Sequence, residues 1–174
     1  MNPSKGVILY HGKYGGTCQY AQWIAETTGL PLFDLRKDKP DLRNYDFFIL
    51  GSAIYIGRFA IRHWLTANWK LLHDKPVLLF SVSGTAPDHP DLKTYFEQSF
   101  EPTIRQAVDW IPLRGRLNLQ KLPWFLRLML KWVGKHQEDE EARQRMTEGF
   151  DFVERQNIEA VIEWAEEQMG VAAA

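Results

Sequence analysis

The feature that most constrains the fold is a buried strand that leads into a glycine-rich turn and then into a helix. The apolar run at residues 7–10 stops at the turn, residues 11–16, and Thr17 opens a helical pattern. Backbone N–H groups converge where such a turn meets a helix N-terminus, so this arrangement is typical of a phosphate-binding loop. An ordinary strand–turn–helix, whose glycines only allow positive φ, would produce the same pattern. The rest of the chain has to distinguish the two.

Strand-like and helical patterns alternate along the chain. The predicted strands lie at 7–10, 30–35, 47–51, 76–82 and 110–117. The predicted helices lie at 17–28, 61–72, 91–108 and 158–169, with Asn157 as the N-cap of the last. Five strands that alternate with helices predict an α/β fold, in which helices cover both faces of a parallel sheet. Ligands of such sheets bind beyond the carboxyl ends of the strands, at the topological switch point.

Two further loops stand where that rule places a ligand. The third strand ends in Gly-Ser-Ala-Ile-Tyr-Ile-Gly, residues 51–57, where small residues permit close backbone approach and Tyr55 or Ile56 offers a wall for a flat ring. The fourth strand ends in the small, polar loop 81–86. Three suitable loops at the expected edge favour a cofactor site over three unrelated turns.

The first loop resembles the phosphate loop of the flavodoxins, an aromatic residue followed by Ser/Thr-x-x-Gly-x-Thr-x-x-x-Ala. Here the pattern runs from Tyr10 to Ala21, with Gly12 where the family has a hydroxyl residue. The loop N–H groups, Thr17 and either Tyr14 or His11 would have to replace that missing donor. The resemblance implies a single flavodoxin-like domain over 1–174, a three-layer sandwich with strand order 2-1-3-4-5, and flavin mononucleotide (FMN) as the cofactor.

The loop after the third predicted strand, called the third loop below, indicates one family among the flavodoxin-like proteins. Gly-Ser-Ala-Ile-x-x-Gly-x-Phe, residues 51–59, is similar to the flavin loop of the menaquinone-dependent protoporphyrinogen IX oxidases, a flavodoxin-like family. Members of that family carry an extra segment between the fifth strand and the last helix, which here corresponds to an insertion at about 120–148. The resemblance implies an FMN-dependent oxidoreductase of porphyrin biosynthesis, which passes electrons from a porphyrinogen through FMN to a quinone. Arg58, Arg114 or Arg116 could pair with the substrate's propionates.

The same resemblance implies a set of cofactor-binding residues in the three loops but no catalytic side chain. They are His11, Gly12, Lys13, Tyr14, Gly15, Gly16, Thr17, Ala53, Ile54, Tyr55, Ile56, Gly57, Ser83, Gly84, Thr85 and Ala86. The first alternative is a flavodoxin-type FMN electron-transfer protein without its own small-molecule substrate, and the second, suggested by Gly12, is a flavodoxin-like domain that has lost its flavin. Such carriers tend to be strongly acidic, and the net charge of −1 argues mildly against one.

The insertion holds a predicted amphipathic helix. Residues 111–135 carry six basic residues and no acidic one, and Arg127, Lys131 and Lys135 share one helix face beside aromatic and aliphatic residues. This pattern favours peripheral contact of 121–135 with an anionic membrane. The alternatives are docking on a quinone enzyme or another redox partner protein, packing on the helix's own domain, and packing on a second subunit.

Composition sets the remaining expectations. One cysteine fits a reducing compartment, and no apolar run approaches the ~18 residues of a membrane-spanning helix. The N-terminus does not resemble a signal peptide. We therefore expect a cytoplasmic protein, with 121–135 able to contact the inner face of the cell membrane. The histidine spacing predicts no metal site, and no nucleic-acid partner is expected.

Overall fold

The computed structural model describes residues 4–136, 140, 143 and 147–170. Its strands are β1 (Gly6–His11), β2 (Leu32–Asp34), β3 (Phe47–Tyr55), β4 (Arg58–Phe59), β5 (Val77–Ser83), β6 (Val108–Arg114), β7 (Arg116–Leu117) and β8 (Phe150–Asp151). Its α-helices are α1 (Gly16–Thr28), α2 (Arg62–Leu72), α3 (Pro90–Ser99), α4 (Pro102–Ala107), α5 (Trp124–Lys135) and α6 (Glu159–Met169). Short 3-10 turns cover Leu42–Asn44, Leu119–Lys121 and Arg155–Ile158.

Five parallel strands form the central sheet in the order β2-β1-β3-β5-β6. These are the five predicted strands in the predicted order 2-1-3-4-5, since β4 is a short extra strand that pairs antiparallel with β3. The flavodoxin-like α/β fold is therefore confirmed. The chain begins with β1, which lies between β2 and β3 in the sheet. The topological switch point therefore lies at the carboxyl ends of β1 and β3.

The core consists of two hydrophobic clusters, one on each face of the sheet. Alternate residues of β1, such as Val7 and Ile8, belong to different clusters, as the two-residue period of a strand requires. One face is covered by α2, α3 and α4, and the other by α1 and α6. Strands buried on both faces explain why the sequence of β3 and β5 is apolar almost throughout.

Several elements differ from the prediction, and each difference has a local cause. The helix predicted at 91–108 is two helices, because Pro102 begins α4 as an N1 residue rather than continuing α3. The fifth predicted strand divides after Arg114, since β7 leaves the central sheet and pairs with β8. The N-cap of α6 is Ile158 rather than the predicted Asn157, and Ile158 makes no side-chain capping hydrogen bond. The Asn157 amide instead donates to the Tyr20 hydroxyl at 2.8 Å.

The described part of the insertion consists mainly of α5. The predicted insertion at about 120–148 also includes 137–139, 141–142 and 144–146, which lie outside the described residues. Within the described ranges, no helix has the length and hydropathy needed to cross a bilayer.

Candidate cofactor site

A cavity of about 450 Å³ lies beyond the carboxyl ends of β1, β3 and β5. The three predicted loops all reach its wall, which includes Lys13, Tyr14, Gly15, Gly16, Thr17, Ala53, Ile54, Tyr55, Ile56, Ser83 and Gly84. The remaining predicted residues, His11, Gly12, Gly57, Thr85 and Ala86, lie outside the wall of the cavity. The structure thus brings the loops together at the switch point, where the fold predicts a ligand.

The first loop presents a helix N-terminus to the cavity. Helix α1 begins at Gly16, and its N-cap Gly15 has φ 98° and no side-chain capping hydrogen bond. The first N–H groups of a helix have no acceptor within the helix, and the first turn of α1 contains no acidic residue. Free N–H groups and the positive end of the helix dipole favour a bound anion. This part of the cavity therefore suits a phosphate group.

Gly12 acts through Thr17 rather than by lining the cavity. A Cβ built at residue 12 would lie 2.7 Å from both Cβ and Oγ1 of Thr17, closer than non-bonded atoms approach. Thr17 is itself buried. Its side chain takes up the space that the hydroxyl residue of the flavodoxin pattern would need, so only glycine fits at position 12 with Thr17 in this position.

The first and third loops are joined at the cavity wall. The backbone N–H of Lys13 donates to the Tyr55 hydroxyl at 2.6 Å, and the Tyr14 and Tyr55 rings meet edge to face with centroids 5.6 Å apart. Burial raises the pKa of Tyr55, so its hydroxyl stays protonated at neutral pH. Tyr55 therefore holds the first loop against the end of β3.

The third loop is a hairpin with an unusual residue at its tip. Ile56 and Gly57 connect β3 to β4, with φ of 48° and 68°. A two-residue type I′ turn needs positive φ at both positions, but a β-branched residue rarely adopts it. Ile56 is also 89% exposed while it lines the cavity. Backbone conformations of this kind cluster at ligand-binding sites, so Ile56 is a candidate ligand contact.

The loop that follows β5, at residues 83–86, packs against the two-stranded sheet of β7 and β8. A Cβ at Gly84 would lie 2.3 Å from the Phe150 ring, so the absence of a side chain lets Phe150 of β8 reach the cavity wall. The Thr85 N–H donates to the Ser83 hydroxyl at 3.2 Å. This bond fixes the bend after β5.

Sequence reasoning missed most of one side of the cavity, where Arg116 was the residue that it had considered. That side is formed by Val82, Gly115, Arg116, Leu117, Leu122, Leu126, Met129, Leu130 and Phe150. Most of these residues follow β6, and three belong to α5. The sequence showed that the insertion carries apolar side chains. It did not show which of them would face the three predicted loops.

The three arginines considered for substrate carboxylates occupy different places. Arg116 lines the cavity, and its Nε lies 3.3 Å from Asp151 Oδ1, an ion pair without hydrogen-bond geometry. Arg114 places its guanidinium 3.5 Å over the Phe152 ring, and Arg58 is exposed on the hairpin. Neither Arg114 nor Arg58 belongs to the wall of the cavity.

A titratable cluster lies beside the site, at the ends of β1 and β2. Arg36 binds the buried Asp34 carboxylate through two hydrogen bonds of 2.6 and 3.0 Å and lowers the pKa of Asp34 to about 2. Burial raises the pKa of Tyr10, with Cys18 and Asp34 acting in the same direction. Burial lowers the pKa of His11, so its imidazole is neutral at pH 7. The cluster stabilises the strand ends that carry the first loop.

The comparisons with known proteins agree with this geometry. Residues 7–144 match the family described as "Flavodoxin domain". The chain therefore belongs to the flavodoxin-domain family, and this membership supports FMN as the cofactor. The comparison with curated protein sequences gives no match.

The chain is also similar to solved structures at low sequence identity. A flavodoxin, WrbA-like protein from Agrobacterium tumefaciens is 19% identical, with a TM-score of 0.52 over 95% of this chain and 99% of that one. A flavoprotein in complex with FMN from Lactobacillus acidophilus is 19% identical, with a TM-score of 0.47 over 64% of this chain and 92% of that one. The Trp repressor binding protein from Bacillus subtilis is 14% identical, with a TM-score of 0.47 over 82% and 95% of the two chains.

Proposed function

We propose that the protein is an FMN-dependent oxidoreductase that resembles the menaquinone-dependent protoporphyrinogen IX oxidases and passes electrons from a porphyrinogen to a quinone. The observation that carries the proposal is the second side of the cavity. Leu126, Met129 and Leu130 of α5 line the same space as the phosphate loop and the 53–56 loop. A protein that only carries electrons needs a flavin pocket, whereas a wall supplied by an insertion offers an apolar surface to a second molecule.

The residues present fit FMN. The N-terminus of α1, with Gly15, Gly16 and Thr17, would hold the phosphate, because its N–H groups are free and no acid opposes the charge. Residues 53–56 and 83–84 would border the flavin ring. FMN, when bound, supplies the redox chemistry, because it takes electrons from the substrate and passes them to the acceptor. The chain's own contribution is to bind, orient and exclude water.

The opposite wall fits an apolar molecule that carries a carboxylate. The side chains of α5 and Phe150 offer apolar surface, and Arg116 offers a guanidinium with hydrogen-bond donors to spare. No carboxylate or imidazole belongs to the described lining of the cavity. The proton released on oxidation would therefore pass to water rather than to a carboxylate base. A porphyrinogen, with a large apolar ring and propionates, matches this wall.

An assay with a wall variant tests the proposal. Leu126→Asp places a charge on the α5 side of the cavity, away from the phosphate loop. We expect FMN to remain bound while anaerobic oxidation of protoporphyrinogen IX, with a menaquinone analogue as acceptor, falls at least tenfold. Leu71→Asp, at an exposed position on α2, is the matched control and should keep wild-type activity.

The electron-carrier alternative predicts a different result. A carrier would accept electrons from a reductase and pass them to an acceptor protein, and its exchange rate would not depend on residue 126. Wild-type protein that binds FMN but does not oxidise the porphyrinogen would contradict the proposed function and favour the carrier.

A further inference from the structure

Helix α5 presents a large apolar surface that nothing in the described structure covers. Its side chains are between 40% and 70% exposed at Trp124, Phe125, Leu128, Met129 and Trp132. Isolated exposed apolar residues are ordinary, but five on one 12-residue helix form a contiguous patch of the kind that marks an interaction site. Among the described residues, this face does not pack on the helix's own domain, which was one of the alternatives drawn from the sequence.

The residue spacing divides α5 into three sectors. Successive residues are about 100° apart, which places Leu126, Leu130 and Val133 on the inward side, where the first two line the cavity. The exposed apolar sector faces largely away from that side, and Met129, at the edge of the sector, also lines the cavity. Arg127, Lys131 and Lys135 form a third sector along one flank of the apolar one, and all three are exposed.

We propose that the apolar and basic sectors of α5 dock on an anionic lipid surface. A helix with an exposed aromatic and aliphatic face beside a row of cations lies in the membrane interface, with its apolar side chains among the acyl chains and its cations among the headgroups. The charge supports this occupant, since residues 111–135 hold six basic residues and no acid. A second copy fits less well, because a symmetric contact through the same patch brings the two sets of cations close together.

Docking in this orientation has a structural consequence. The inward side of α5 lines the cavity and its exposed apolar sector contacts lipid, so the helix separates the cavity from the bilayer by the thickness of one helix. The proposal does not depend on the identity of the substrate, since lipid binding needs neither turnover nor a bound cofactor.

Vesicle cosedimentation tests the proposal with paired variants. At low salt, the wild-type protein should bind vesicles of phosphatidylcholine with phosphatidylglycerol and should bind pure phosphatidylcholine much more weakly. Changing Arg127, Lys131 and Lys135 to Gln should weaken binding to the anionic vesicles by about fivefold for each cation, up to about a hundredfold in all. Added salt should reduce the wild-type binding in the same way.

Matched controls separate the patch from general surface properties. Lys37, Lys70 and Lys93 are exposed on other parts of the surface, and their triple change to Gln should leave binding unchanged. Leu128→Ser with Trp132→Ser should reduce binding to both kinds of vesicle, whereas Leu71→Ser should not. Circular dichroism and retention of FMN establish that each variant is folded.

The contrary outcomes are distinct. Wild-type protein that stays in the supernatant with anionic vesicles at low salt would overturn the proposal. So would equal losses for the α5 triple variant and its control. A wild-type dimer that becomes monomeric when Leu128 and Trp132 are both changed to Ser, without vesicle binding by either form, would assign the patch to a second copy. Failure of porphyrinogen oxidation alone would leave vesicle binding intact and would count against the proposed function only.

Discussion

The Tyr55 hydroxyl accepts a 2.6 Å hydrogen bond from the backbone N–H of Lys13. This bond links the carboxyl end of β3 to the first loop, which follows β1 and is the candidate phosphate loop. The two segments are distant in sequence. Both residues line the candidate cofactor cavity. The position of the phosphate loop therefore depends on a side chain from the third loop, and the two halves of the site form together.

Tyr55→Phe should loosen the phosphate loop without removing any ring contact. Loss of one hydrogen bond of this kind costs about 0.5–1.5 kcal/mol, so we expect FMN affinity to fall by up to about tenfold. Titration of the apoprotein with FMN, followed by flavin fluorescence, measures the change. Tyr45→Phe, on the far side of the sheet against Phe48, is the control, and an equal loss in both variants would refute the specific role of Tyr55.

Gly12→Ser restores the flavodoxin pattern but should weaken FMN binding rather than improve it. The added Cβ would lie 2.7 Å from Thr17, which would force Thr17 away from the N-terminus of α1. A companion change, Thr17→Gly, removes the clash, so the double variant should bind FMN more tightly than Gly12→Ser alone. Tighter binding by the single variant would show that Thr17 does not fill this space.

The stability of the protein should fall at acidic pH through Asp34. Because Arg36 lowers the pKa of Asp34 from 3.8 to about 2 in the folded state, the unfolded chain takes up this proton first. The stabilisation is complete above the unfolded pKa and is lost as the pH falls toward 2. At 1.36 kcal/mol for each pKa unit, the loss is about 2 kcal/mol.

Chemical denaturation at pH 5 and pH 2.5 measures this effect. Asp34→Asn should be less stable at pH 5 and should show a smaller decrease between the two pH values. If the wild type and Asp34→Asn lost the same free energy of unfolding over this range, the carboxylate would not be the cause.

Arg116→Gln should impair substrate binding while leaving FMN in place. A hydrogen bond to a charged group contributes about 1.5–3 kcal/mol, so the KM for a carboxylated porphyrinogen should rise about tenfold or more, with a smaller change in kcat. Arg58→Gln is the control, since Arg58 is exposed and does not line the cavity. A porphyrinogen whose propionates are esterified should show no difference between wild type and Arg116→Gln.

The sequence predicted the central sheet well because its strands have strong local signals. The strands β1, β3 and β5 are apolar on both faces, and Gly29 ends α1 in a left-handed conformation, as its position after the helical pattern indicates. The turn at Ile56 was not predictable, because isoleucine is disfavoured at positive φ and the β4 strand contains two residues. The pairing of β7 with β8 also lacked a signal, since it joins short segments on either side of the insertion.

The candidate site was predicted in part for the same reason. The loops at 13–17, 53–56 and 83–84 follow strands whose order fixes where they meet. The residues of α5 reach the cavity through tertiary packing, which periodicity within the helix does not specify. Arg116 was one of three equivalent arginines in the sequence, and its place on the cavity wall comes from the point where the chain leaves β6.

The most direct test of the central claim is anaerobic rapid mixing of the FMN-loaded protein with protoporphyrinogen IX, recorded by visible absorption. The account predicts loss of the oxidised flavin absorption at a rate that saturates with porphyrinogen concentration, and its return when a menaquinone analogue is added. An oxidised flavin spectrum that stays unchanged with porphyrinogen, but is lost at once with a soluble flavoprotein reductase in its reduced form, would contradict the account.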